Sequence, residues 1–414
     1  MSGAIATEIP DHVPAELVSD YAFETQPGVN RCPFAANQKI HELPDIFYAT
    51  NAYRGSTWVI TSAEFVREAY TRPDLFTSNN ATGFLRLLGR DVDLIPVEVD
   101  PPKHGLYRQI LNPHFTPAAL NPMEESLRRR AESMIDELLK RDEFEFETQY
   151  GRPYPVRIFL DLMGLPSDRL EEFVSWEEQL LHGATLEDVA HGAANIMGYL
   201  EGVIPERRKQ LGDDLLSTII GGQVEGQPLS DEEILATSFL LFFGGLDTVA
   251  ATLAFIFKHL AEHPEDQKLL RDEPQLITGA VEEFLRAYSV VNSPRRVAED
   301  TVFHGVAMKK GDRVMLAATL AGRDPESLPN ADKVDLRRIK VRHLAFASGP
   351  HLCLGAPLAR RELRISLEAW LTRAPMFEVS PNEQPITRAR GVFDVQRLPL
   401  RWVARPPAPA GTPV

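Results

Sequence analysis

The chain has 414 residues, 43% apolar and 25% charged, with 44 basic against 59 acidic side chains and a formal charge of −15. This is the composition of an ordered globular protein, and it excludes a general nucleic-acid binder, which needs a basic surface for phosphates. Two cysteines are too few for a disulfide framework or a four-thiolate zinc site, which points to a reducing cytoplasm.

In chain order, MSGAIATEIPDHVP has acids and prolines where an export signal has a basic start and an apolar run. Cys32, in RCPF, has no evident partner and is assigned no role. Residues 57–61 alternate like a strand, and helical periodicity covers 62–71, 117–141, 168–181 and 186–211. Ser230-Asp231-Glu232-Glu233 has the form of a capping box. It opens a helix that Pro264 ends, about 32 residues or roughly 48 Å long. The stretch ILATSFLLFFGGLDTVAATLAFIF within it has the length of a membrane span. Asp247 at its middle is costly in a bilayer, so the expectation is a spine buried by protein. A further helix is predicted over 265–288, and strands over 295–303, 313–318 and 398–403. No repeat or linker divides the chain. One mainly α domain with small β-sheets is expected over 1–404, followed by a proline-rich disordered tail at 405–414.

The stretch FASGPHLCLG, 346–355, sets Cys353 in a tight loop before the helical pattern APLARRELRISLEAWL. A helix N-terminus favours the thiolate, so a lowered thiol pKa is expected. Glycines there allow close backbone approach to a flat ligand. The pattern Phe346-x-x-Gly349-x-x-x-Cys353-x-Gly355 resembles the haem-binding loop of the cytochrome P-450 superfamily. The stretches WVITSAEFVREAY, FFGGLDTVAATL, RRVAEDTVFHG and VQRLPLRW place the resemblance closest to the camphor hydroxylase subfamily of the soluble bacterial class.

That resemblance implies the family's single-domain fold, with its long helix crossing haem b (iron protoporphyrin IX), and Cys353 as the thiolate ligand of the iron. It implies that Phe346, Gly349, His351 and Gly355 shape the loop, and that Gly244 leaves room for dioxygen on the opposite face. Two propionates in an interior must be paired, and His104, Arg108, Arg295 and His351 stand where the family meets them. Glu283-x-x-Arg286, on one helix face, joins Arg338 in the family's buried Glu-Arg-Arg cluster.

Asp247 and Thr248 correspond to the acid and alcohol of the family's proton delivery, which implies a monooxygenase using O2 and two electrons. A haem-based sensor or ligand-binding protein is the alternative, and it would not need this pair. Val92 replaces a tyrosine that pairs with a ketone in the camphor subfamily, and a buried carbonyl left unpaired costs roughly 1–3 kcal/mol. With Leu94, Leu240, Phe243, Val290, Val291, Val392 and Phe393, it implies a compact apolar substrate such as a cineole-like monoterpenoid or an ionone-like norisoprenoid. Arg108, Arg360 and Arg361 are expected to form a basic patch for an acidic electron carrier. By resemblance that carrier is a [2Fe–2S] ferredoxin, reduced by an NADH-dependent flavoprotein. A monomer is expected.

Overall fold

A computed structural model describes residues 9–52, 55–183 and 185–403. The expected disordered tail lies outside the described residues.

The spine begins where the sequence caps it. Ser230 Oγ accepts from the Glu233 amide at 3.3 Å, and the Glu233 carboxylate accepts from the Ser230 amide at 2.9 Å, which closes the capping box. The helix runs as Asp231–Gly245 and Asp247–Glu262, interrupted at Leu246. One unbroken rod was expected. Consecutive glycines weaken a helix, and such pairs are common kink sites. The second half is enclosed from Val249 to Ala261, so the apolar stretch is a core element. Phe257, for instance, packs against Phe146, Trp370 and Phe377 with ring centroids 4.5, 4.8 and 5.6 Å away.

The first half of the spine packs on Leu186–Lys209, and the second on Ala356–Arg373 and on the strand Phe393–Arg397. Helices Pro153–Met163 and Leu170–His182 flank the break. Prolines redraw two predicted helices. The 265–288 run splits into Pro264–Asp272 and Ile277–Ala287 around Pro274. The 117–141 run has one turn at Pro117–Leu120, then Glu124–Leu138 after Pro122. In each case the proline lacks the amide that continuation needs.

The six-stranded sheet runs in the order Val18–Ser19, Ile46–Ala52, Gly55–Ile60, Arg313–Leu316, Ser293–Val297, Phe76–Thr77. The predicted 295–303 strand is two strands, Ser293–Val297 and Thr301–Phe303, the second of which pairs with Val306–Met308. Arg313–Leu316 lies antiparallel to Ser293–Val297 with Val314 opposite Arg295, which carries Arg295 toward the cysteine loop. A hairpin of Ile386–Ala389 and Phe393–Arg397, absent from the predicted strands, brings the chain end against the spine.

Candidate active site

Cys353 lies between a single turn, Gly349–His351, and the helix Ala356–Arg373. Its amide donates to the Phe346 carbonyl at 2.9 Å, which folds the loop back on itself. Gly349 has φ +66°, and a Cβ there would meet the Tyr70 carbonyl at 2.6 Å; only glycine fits that close approach. Cys353 is exposed as a residue and lines an open depression together with Arg108 and Arg360. Burial raises the thiol pKa despite the Gly355 and Ala356 amides and the Arg108 and Arg360 charges.

Basic groups gather beside this loop. The rings of His104 and His351 are 4.3 Å apart, His351 Nε2 is 3.1 Å from Ser78 Oγ and 3.9 Å from Asp100 Oδ1, and Arg108 donates to the Leu352 carbonyl at 2.7 Å. Arg295 is 6% exposed. It donates to the Pro294 carbonyl at 2.7 Å and lies 5.6 Å from the Tyr70 ring centre, with no carboxylate in ion-pair range among the described residues. Burial, then His351 and Arg108, lower the His104 pKa to about 4. Four bases share one acid, Asp100, which lies near His351, and a dianion suits the remaining positive charge. With an exposed cysteine and a glycine-lined loop, these residues fit haem b.

The supporting cluster assembles as expected. Arg286 donates through Nε and Nη2 to both Glu283 oxygens at 2.8 Å, and Arg338 Nε lies 3.1 Å from Glu283 Oε2. The other Arg286 nitrogen bonds the Gly322 and Ala331 carbonyls at 2.6 and 2.7 Å, so a charge 1% exposed is paired on every side. The adjacent Glu282, unremarked in the sequence, accepts from Arg360 at 2.7 Å and contacts His343 at 3.1 Å. Arg360 in turn covers the Phe346 ring at 4.6 Å.

These pairs correct the basic patch. Arg360 is neutralised by Glu282 and Arg361 by Glu124. The open depression of about 750 Å³ that Cys353 lines is bordered by Arg67, Arg108 and Arg342 as well as by Arg360 with its partner Glu282. Among the described residues, none of the first three is ion-paired.

On the broken spine, the two glycines differ. A Cβ on Gly244 would meet nothing within 4 Å, whereas one on Gly245 would lie 3.0 Å from the Phe159 ring. Gly244 opens space and Gly245 permits packing. Thr248 Oγ1 donates to the Gly244 carbonyl at 3.1 Å. Asp247 is 2% exposed and its Oδ1 lies 3.0 Å from His182 Nε2. Burial works against this carboxylate, but His182, Arg152 and Arg388 hold it below the usual range. The sequence reading missed these partners, since nothing in spacing ties His182 to a residue 65 positions on.

Of the pocket residues, Val92, Leu240, Phe243, Val291 and Val392 are half-buried and keep accessible surface. Val291 and Val392 pair across a β-bridge, and Phe243 sits 5.6 Å from Phe84. Leu94 and Phe393 are 1% and 0% exposed, and Val290 is 6%. Phe393 is correctly a core residue, its ring 5.4 Å from Phe34, because strand alternation turns it away from the side Val392 occupies.

A family model described as Cytochrome P450 matches residues 178–400. A probable cytochrome P450 127A1 from Sinorhizobium fredii is 37% identical over 95% of this chain and 97% of its own length. A linalool 8-monooxygenase from Pseudomonas putida is 29% identical over 78% of this chain and 84% of its own. The crystal structure of cytochrome P450 CYP101C1 superposes with a TM-score of 0.87 at 31% identity, covering 96% of this chain and all of that one.

Proposed function

This chain belongs to the cytochrome P450 family and is a haem-dependent monooxygenase, and on that premise we propose that it hydroxylates a compact terpenoid-sized substrate with electrons from a [2Fe–2S] ferredoxin. Haem b supplies reductive activation of O2, with one oxygen atom entering the substrate and the other leaving as water, for two electrons and two protons.

The observation that carries the reading is the Cys353 loop, in which an exposed cysteine stands beside four bases, of which Arg295 is buried with no carboxylate in ion-pair range among the described residues. Cys353 would hold the iron, while His104, Arg108, Arg295 and His351 would orient the ring by its propionates. Thr248 would hold water and the distal oxygen in a hydrogen-bonded chain, and Asp247 would feed that chain with protons. Val92, Leu240, Phe243, Val291 and Val392 would receive the substrate by shape, since none offers a hydrogen bond. Phe243 beside Phe84 narrows the space and favours a monoterpenoid or norisoprenoid over a larger skeleton, and a relative named for linalool supports that size class.

The rim of Arg67, Arg108 and Arg342 around the Cys353 depression suits a small acidic carrier, with reduction rates that fall as salt rises. An NADH-dependent flavoprotein would reduce the carrier, and the cytoplasm would house the system. The test is a titration of the ferric protein with cineole, ionone, linalool and a steroid, read by the shift from low to high spin. Saturating shifts with the small molecules are expected; a shift with the steroid alone contradicts the proposed size class.

A further inference from the structure

Asp247 is the inner end of a buried ionic cluster drawn from five parts of the chain. Glu147 and Arg152 come from the approach to the helix Pro153–Met163, Glu177 and His182 from Leu170–His182, Asp247 from the spine, and Arg388 and Asp394 from the two strands of the terminal hairpin. His182, 8% exposed, bridges two of the acids: its Nε2 is 3.0 Å from Asp247 Oδ1 and its Nδ1 is 3.5 Å from Asp394 Oδ2. Arg388 Nε donates to the other Asp394 oxygen at 3.1 Å. Asp247 Oδ2 and both Glu177 oxygens are buried and meet no hydrogen-bond partner among the described residues.

We propose that His182 is the positioning residue of the distal acid: beside Asp394, it engages Oδ1 of Asp247, leaves Oδ2 free to pass protons, and supplies the proton for each transfer from its own Nε2. This deepens the assignment of Asp247 made above and rests on it. The proton balance is simple. Asp247 rests as a carboxylate beside the His182 imidazolium; the imidazolium gives its Nε2 proton to Asp247, which passes it toward Thr248 and is again a carboxylate, and the imidazole is then recharged from solvent on the hairpin side.

Several features favour a charged ring. His182 is the last residue of its helix, where the dipole stabilises a cation. Burial would lower its pKa, but Asp247 and Asp394 outweigh both burial and Arg388 and raise it. Glu177 faces the same group. Burial and the Asp247 charge push its pKa up to about 8, so it sits there as an uncharged acid at neutral pH. Glu147 is likewise raised by burial. The ligand atoms of Glu177, His182 and Asp247 lie within 4.8 Å of one another, a span that could also hold a divalent cation. Arg152 and Arg388, however, already supply positive charge to these acids, which favours a proton as the mobile charge.

The test compares the pH dependence of product formation in the haem-loaded parent, His182→Gln, His182→Arg and Asp394→Asn, with Asp247→Asn alongside. Haem content and the substrate-induced spin shift report on folding. The parent should lose turnover as pH rises past the raised His182 pKa. His182→Gln should be slower by about tenfold, below the 10²–10⁴ of a general acid itself, and should lack that alkaline limb. His182→Arg, charged throughout but with no proton to release, should be as slow as His182→Gln with the limb removed, and Asp394→Asn should move the limb to lower pH. A His182→Gln protein with the parental rate and profile overturns the proposal. Should His182→Arg lose haem, Asp394→Asn decides, and an unmoved limb overturns the proposal. If Asp247→Asn is slow while His182→Gln is parental, only the role of His182 falls. If Asp247→Asn is itself parental, the underlying assignment of Asp247 falls with it.

Discussion

Thr248 donates its hydroxyl hydrogen to the carbonyl of Gly244 at 3.1 Å, across the gap that the spine leaves at Leu246. With its donor engaged there, the hydroxyl offers lone pairs to the half-buried side of the helix, as an acceptor that can order water. Thr248→Ala should therefore keep consuming electrons while product per electron falls by about tenfold, the balance appearing as hydrogen peroxide. Thr248→Ser should stay near the parental ratio. Parallel assays of NADH, product and peroxide check this.

The glycine pair separates fold from function. Gly245→Ala would drive a methyl into the Phe159 ring at 3.0 Å, and overpacking of this kind costs about 1–3 kcal/mol. Gly244→Ala meets no neighbour within 4 Å and should leave thermal stability at or above the parental value, since alanine favours helix. It should weaken carbon monoxide binding to the reduced protein by crowding the open face. Melting curves and carbon monoxide titrations on both variants distinguish the two roles.

Removing the carboxylate beneath the cysteine loop should be severe. In Glu283→Ala, the Arg286 guanidinium would keep its carbonyl partners but lose its carboxylate partner while 1% exposed, and an unpaired buried charge costs about 3–5 kcal/mol. Urea unfolding should show a loss of this size together with poor haem retention. Arg286→Lys, with Glu283 kept, should also destabilise, because an ammonium cannot reproduce the forked pairing.

The neighbouring Glu282 gives a pH signature. Burial works against its carboxylate, but His343 and Arg360 overcome this and lower the pKa to about 2. A depressed carboxylate adds stability above its unfolded pKa and loses it as pH falls through the folded value. Stability should thus decline between about pH 4.5 and 2, by on the order of 1–2 kcal/mol once the partly exposed Arg360 is discounted for solvent screening. Acid unfolding of Glu282→Gln should lack that component.

What the sequence disclosed was local. The Cys353 loop, the Ser230 capping box and Glu283-x-x-Arg286 each lie within about ten residues, where spacing fixes geometry. Asp247 was legible as a buried acid on an apolar helix, but its partners were not, since His182 and Asp394 come from distant elements that only the folded hairpin and helix bring together. Phe393 was misplaced because one step along a strand reverses its face. Arg360 and Arg361 appeared as free charges until the tertiary structure supplied Glu282 and Glu124.

The central claim is ligation of haem iron by Cys353, and it is tested most directly by the visible spectrum of the dithionite-reduced protein under carbon monoxide, with Cys353→His beside it. The account predicts a thiolate-type Soret band in the parent, replaced in Cys353→His by the band of histidine-ligated haem. A histidine-type band in the parent, or a thiolate-type band that survives the substitution, would contradict it.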